Sequence, residues 1–341
     1  RALIMKRKSS PSNLLGFAAK AYLGGMTGWI LWRLLNDSAP RMLAQDQNKL
    51  RGAWPTVSET EDKGAYTVTH SLEDGIERIT YTPKERKHET PILMAHGMWH
   101  GAWCWQPWQE IFAEQGWESV AYSLPGHGRS PVQRGLTNCT LGYYLAFLRD
   151  EVARMPRKPV LMGHSMGGAL SQWYLKHIGD DLPAVVLVAP WLSHSALSDT
   201  HALKNLFGAD LAGMLMMFYQ FNANSWVRNP RRAAEKLLSK DSVVSPEDLQ
   251  RQLNGESALV IFQHNPPFWY PAENVRSPML ILAGEKDAVV GLDGLRKSAA
   301  HYDAELLVVP GAAHNLMMEK SYRETASAID SWLVSRPGLA A

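Results

Sequence analysis

The stretch that most restricts how this chain can fold runs from Pro159 to Leu170. Val160 to Met162 is an apolar run the length of a buried strand, and Ala169, Leu170, Trp173, Tyr174 and His177 then follow at helical spacing. Between the two lies G-x-S-x-G, read as Gly163, His164, Ser165, Met166 and Gly167. A serine on a tight strand-to-helix turn needs nearly side-chain-free neighbours two positions to either side, and Gly163 and Gly167 meet that need. The helix beginning at Met166 turns its positive end toward the serine and favours negative charge there. A Gly-rich turn before a core helix would show the same pentapeptide. The strand before it and the helix after it are the context that a nucleophile requires.

The rest of the chain alternates in the same way. Ala65 to His70 and Ile76 to Tyr81 read as an antiparallel pair turning at Asp74-Gly75. Strands are then expected at Pro91–Ala95, Ser119–Leu124, Ala184–Ala189, Met279–Ala283 and Glu305–Val309. Helices are expected at Trp105–Gln115, Leu141–Arg154, Leu292–His301 and Arg323–Val334. Continuously apolar strands separated by helices predict an α/β fold, a mostly parallel central sheet flanked by helices on both faces. Ligands bind such sheets beyond the carboxyl ends of the strands. Residues 65–190 and 277–341 form the expected core, after a basic extension and linker over 1–64. Residues 191–276 interrupt the alternation at the ligand edge and read as an inserted helical cap. Its Met-rich run, Leu211 to Phe221, suits an irregular apolar ligand.

A serine hydroxyl is a weak nucleophile until a positioned base takes its proton. His314, in a loop just past the last strand, is the candidate base, and Asp287, just past Met279–Ala283, is the acid that would fix its tautomer. Glu285 and Asp293 are the rivals: Glu285 comes early in its turn, and Asp293 is expected to cap the next helix. Developing oxyanion charge needs preorganised donors, and the backbone N–H groups of Met166 and Met98 are the candidates. His96 is expected to brace the Met98 loop, with His100, His127 and His164 as scaffolding or pocket wall. Gly97, Trp99, His164, Trp191, Met214, Met217 and Phe218 are the candidate substrate contacts. Nothing in the spacing calls for a metal or a cofactor. Gly126-His-Gly-Arg-Ser130 lacks the helix and spacing of a phosphate-cradling loop.

Net charge is +2, which gives no global reason to expect nucleic acid. Residues 1–51, however, hold nine Lys/Arg against two Asp, a net +7. Leu14, Phe17, Ala18, Ala21, Tyr22, Met26, Trp29, Ile30 and Arg33 fall at helical spacing within that basic segment. The segment 13–35 is expected either to contact a membrane surface or to pack on the body of the protein or on another subunit. Its longest uncharged run, Ala21 to Trp32, is shorter than the ~20 residues of a spanning helix. Two cysteines without metal spacing, Cys104 and Cys139, suggest a reducing, cytoplasmic setting.

Taken together, His96-Gly97, Gly126–Ser130, Gly163–Gly168 and Asp287 with His314 resemble the α/β-hydrolase superfamily from about Ala65 to Val334. His96 to Trp105 looks like the H-G-x-x-H-G-A-W-x-W opening of plant methyl esterases and hydroxynitrile lyases. The Gly126–Ser130 and Gly163–Gly168 motifs look more like monoacylglycerol lipases and lysophospholipases. The resemblance implies acyl-enzyme hydrolysis of a carboxylic ester, with Ser165 attacking and His314 carrying the proton, and a small ester with an apolar acyl or alcohol group is the expected substrate. Thioesterase, amidase, C–C hydrolase or perhydrolase chemistry could use the same residues, and a ligand-binding homologue without turnover would keep the fold. The lyases have threonine at the position of Gly97 and lysine at that of Asn315, which counts against cyanohydrin cleavage.

Overall fold

The computed structural model describes residues 11–45, 54–195, 211–220 and 222–339. Nine strands form its one sheet: β1 (Val57–Asp62), β2 (Tyr66–Glu73), β3 (Ile76–Pro83), β4 (Ile92–Ala95), β5 (Ser119–Tyr122), β6 (Val160–His164), β7 (Val185–Val188), β8 (Met279–Gly284) and β9 (Glu305–Val309). Their spatial order is β1-β2-β3-β5-β4-β6-β7-β8-β9. The pairings from β1 to β5 across β2 and β3 are antiparallel, and all those from β5 to β9 are parallel. Parallel neighbours need long crossovers, and helices supply them.

Ahead of the sheet come α1 (Pro11–Asn36) and α2 (Ala39–Leu43). The crossovers contain α3 (Gln106–Glu114), α4 (Leu141–Arg154) and α5 (Met166–His177). Between β7 and β8 lie α6 (Leu211–Gln220), α7 (Pro230–Leu237), α8 (Pro246–Gln252) and α9 (Leu259–Gln263). The chain returns to the sheet with α10 (Leu292–Tyr302) and α11 (Tyr322–Val334). Every residue of β4, β6, β7 and β8 is buried, as strands covered on both faces must be. Each Val, Leu, Ile or Met side chain fully enclosed there contributes about 1.5–3 kcal/mol relative to exposure. A buried bidentate pair, Arg78 Nε and Nη2 on Glu151 Oε2 and Oε1 at 2.6 and 2.5 Å, ties β3 to α4.

Two local expectations differ. Residues 57–62, expected within a polar linker, form edge strand β1, whose six residues are all exposed. An edge strand with no buried face carries no apolar alternation to read. The cap of α10 is Gly291, so Asp293 stands inside the first turn and pairs with Arg296 at 2.8 Å.

The basic amino-terminal segment is helical from Pro11. Met26, Trp29, Ile30 and Arg33, members of the expected stripe, are partly buried, and Leu34 is fully so. Gln263 Nε2 donates to the carbonyls of Leu34 and Asp37 at 3.2 and 2.9 Å, clamping this end of α1 to α9. Among the described residues no helix is long and apolar enough to cross a membrane.

Candidate active site

Ser165 sits between β6 and α5 with φ 52° and ψ −113°, in the left-handed half of backbone space that a non-glycine residue enters at a cost. The turn holds because its neighbours have no side chains. A Cβ on Gly163 would overlap the Gly167 carbonyl, and one on Gly167 would overlap the Ala95 carbonyl. The Ser165 amide donates to Val188 O at 2.9 Å, so the turn hangs from the end of β7. Ser165 O accepts the amides of Ala169 and Trp191, the latter at 3.4 Å, which brings Trp191 beside the elbow.

Asp287 follows β8 and His314 follows β9. His314 Nδ1 lies 2.8 Å from Asp287 Oδ2, and both side chains are buried. The other carboxylate oxygen, Oδ1, accepts the amides of Val289 and Val290 at 2.7 and 3.0 Å. An acceptor-only carboxylate facing Nδ1 puts the proton there and leaves Nε2 as the basic nitrogen. Of the rivals, Glu285 accepts the Gly311 amide at 2.8 Å and Asp293 is on the surface with Arg296. The His314 loop is held to the elbow by His164, whose Nε2 donates to His314 O at 3.1 Å with ring centroids 4.8 Å apart. Among the described residues no hydrogen bond joins the Ser165 hydroxyl to His314. Such bonds are often long in free enzymes and tighten with substrate.

The loop after β4 closes the other side. A Cβ on Gly97 would stand 2.8 Å from His164 Nδ1 and 3.0 Å from Ser165 Cβ, so only glycine lets this loop approach the elbow so closely. His96 Nε2 accepts the Leu124 amide at 3.0 Å, leaving Nδ1–H to donate to Gly97 O at 2.8 Å. In a trans peptide the N–H points opposite to its C=O, so this grip aims the Met98 amide the other way. Trp99, at φ 64°, is buried edge-on to Trp226 of the 191–276 segment, with centroids 6.2 Å apart. Burial pushes the His96 and His164 rings well below the ordinary imidazole value, and His100 down to about 4. All three are therefore neutral near pH 7, each donating one N–H to a backbone carbonyl.

Of the other expected contacts, Met217 is buried on α6, which packs on the turn Asn224–Trp226 and so reaches Trp99 through Trp226. The side chains of Met214 and Phe218 lie outside the described residues. Sequence reasoning gave Asn254 no role and used Asn315 only to count against cyanohydrin cleavage. The Asn254 backbone amide donates to Trp99 O at 2.7 Å while its Oδ1 accepts the Gly128 amide at 2.8 Å, pinning the loops that carry Trp99 and Gly128. The Asn254-Gly255 turn signal inside the insertion was the available hint.

The model of the alpha/beta hydrolase family matches residues 92–328. The chain belongs to the α/β-hydrolase family. Among its relatives is the monoacylglycerol lipase of Mycolicibacterium smegmatis, 25% identical over 72% of this chain and 88% of that one. Another is norfluorocurarine synthase 1 of Strychnos nux-vomica, 28% identical over 31% of this chain and 39% of its own. The chain spans about half or less of the length of several curated relatives that it matches. The solved monoacylglycerol lipase of Paleococcus ferrophilus shares the fold with a TM-score of 0.56, at 22% identity over 76% of this chain and 98% of that one.

Proposed function

We propose that this chain is a serine hydrolase that cleaves a carboxylic ester with an apolar acyl or alcohol group through an acyl-enzyme. The observation that carries the reading is the 2.8 Å contact of His314 Nδ1 with Asp287 in a loop tied to the elbow through His164. In the proposed cycle His314 Nε2 takes the Ser165 proton as Oγ attacks the ester carbonyl. The amides of Met98 and Met166 receive the oxyanion, and collapse expels the alcohol with the proton from His314. Water, deprotonated by the same ring, then releases the acid. Residues 65–190 and 277–341 serve as the catalytic core, and 191–276 as a cap whose Trp191 and Met217 help to exclude water.

Ser165→Ala is expected to lower kcat on p-nitrophenyl esters by roughly 10⁴–10⁶-fold with an unchanged melting temperature. A fluorophosphonate should label Ser165 in the parent protein only. Retained turnover in the variant would remove the assignment, and absence of labelling would favour a non-catalytic binder. Thioesters and anilides in the same panel separate the alternative leaving groups.

A second reading concerns α1. Leu31, Trp32 and Leu35 are 46, 56 and 57% exposed on a helix within the net +7 segment. These residues, rather than the inward stripe, suit the interface of an anionic membrane. Replacing all three by glutamate should weaken binding to anionic vesicles at least tenfold and leave turnover of a soluble ester unchanged. Equal vesicle binding would leave α1 as a packing helix. Truncation is a poorer test, because Leu34, Ala39 and Met42 are buried in the body.

A further inference from the structure

Asn315, directly after the proposed base, has its Nδ2 3.0 Å from His100 Nε2. His100 Nδ1 is 2.7 Å from Met98 O in the oxyanion loop. A carbonyl only accepts, so the ring must carry its proton on Nδ1. A neutral ring then has a bare Nε2, which obliges Asn315 to present its NH₂ group there. His100 and Asn315 are both buried, so neither side chain exchanges these partners for bulk water. From the geometry we infer that His100 is a positioning residue, which, set by Asn315, registers the oxyanion loop against the loop that carries His314.

The peptide planes on either side of Met98 are each gripped by a buried imidazole, His96 on Gly97 O and His100 on Met98 O. Turning the Met98 amide away from the site breaks one grip, and sliding the loop breaks the other. The His100 link has a further consequence, because its far end is the residue next to His314. The proton carrier and the Met98 donor are therefore held in one register. The burial that holds His100 to about 4 keeps the ring neutral, so the direction of donation does not reverse at neutral pH.

This inference rests on the hydrolase reading for its kinetic consequence only; the link itself can be tested without turnover. In the full chain, with histidine side chains labelled with ¹⁵N, His100 should show a protonated Nδ1 and an unprotonated Nε2. Asn315→Ala should move the Nε2 resonance most. An Nε2–H tautomer in the parent protein overturns the inference, however active the enzyme is. On a p-nitrophenyl ester, His100→Leu is expected to lower kcat about 10- to 100-fold with KM within about twofold, the pattern of a lost transition-state donor. His100→Asn, whose amide N–H can replace Nδ1–H, should recover most of that loss, which a merely space-filling role would not predict. His100→Leu with Asn315→Ala should be no slower than His100→Leu alone, because both cut one chain of bonds. Additive losses, or losses in KM alone, would sink the registering role. A parent protein that turns over no ester would remove the hydrolase assignment while the tautomer measurement still decides the link.

Discussion

Among the described residues two buried imidazole–carboxylate pairs stand side by side in composition and differ in how each ring is tied. In the first, His314 Nδ1 stands 2.8 Å from Asp287 Oδ2, while Oδ1 is filled by two backbone amides. In the second, His127 Nε2 stands 3.1 Å from Glu256 Oε2, while Oε1 takes the Tyr144 hydroxyl at 3.0 Å and the Ser257 amide at 2.7 Å. The composition is nearly the same, yet the rings are tied by opposite nitrogens. His127 also has Nδ1 3.3 Å from Pro125 O, so both of its nitrogens face protein. Among the described residues His314 Nε2 has no such partner, which leaves it open to a substrate. The second contact is close but off-axis: neither His127 Nε2 nor Glu256 Oε2 meets hydrogen-bond geometry. It is a contact that joins the 191–276 segment to the Gly126–Ser130 loop. Proximity alone makes a brace; an aligned bond with one nitrogen left open is the arrangement that the proposed base requires.

The largest expected effect breaks the two pairs apart. Asp287→Asn should lower kcat by about 10⁴-fold, because the wrong tautomer is then favoured, with little loss of fold. Glu256→Gln, which keeps an acceptor for Tyr144 and Ser257, should change kcat less than tenfold. Stability should answer the other way. Glu256→Ala leaves two buried donors unsatisfied, at about 1–3 kcal/mol each, and its urea midpoint should fall well below that of Asp287→Asn. Equal kinetic losses at Asp287 and Glu256 would dissolve the distinction.

How far this could be read in the chain differs between the pairs for a physical reason. Ser165, Asp287 and His314 each lie within about five residues past the end of an apolar strand, β6, β8 and β9, so the rule that ligands meet strand ends brings them together before any coordinates are known. The runs that became β4, β6, β7 and β8 were legible because burial on both faces demands unbroken apolar sequence. Glu256 and His127 sit in irregular segments 129 positions apart, and no period announces their meeting. Asn254 and Asn315 are likewise polar loop residues until the loops they pin are in place. The exposed β1 escaped notice because a strand with no face in the core has no pattern to show.

Imidazoles without a carboxylate sharpen the contrast with the smallest effect. His264 is buried, with Nε2 donating to Leu192 O at 2.9 Å and Nδ1 accepting Trp173 Nε1–H at 3.0 Å, and burial holds it down to about 4. The unfolded chain takes up this proton near pH 6.5, the folded one near 4. Between those values the unfolded state binds more protons, so stability rises with pH; the contribution is complete above about 6.5 and is lost as the pH falls toward 4. His264→Gln can keep both hydrogen bonds without the titration. Urea midpoints measured from pH 4 to 7 should therefore show a slope shallower by up to one proton, about 1.4 kcal/mol per pH unit, in the variant. Activity at pH 7 should be unchanged, because the ring is neutral there and makes no bond to Ser165, His314 or the Met98 loop among those described. An identical slope in both proteins would mean that this ring titrates alike folded and unfolded.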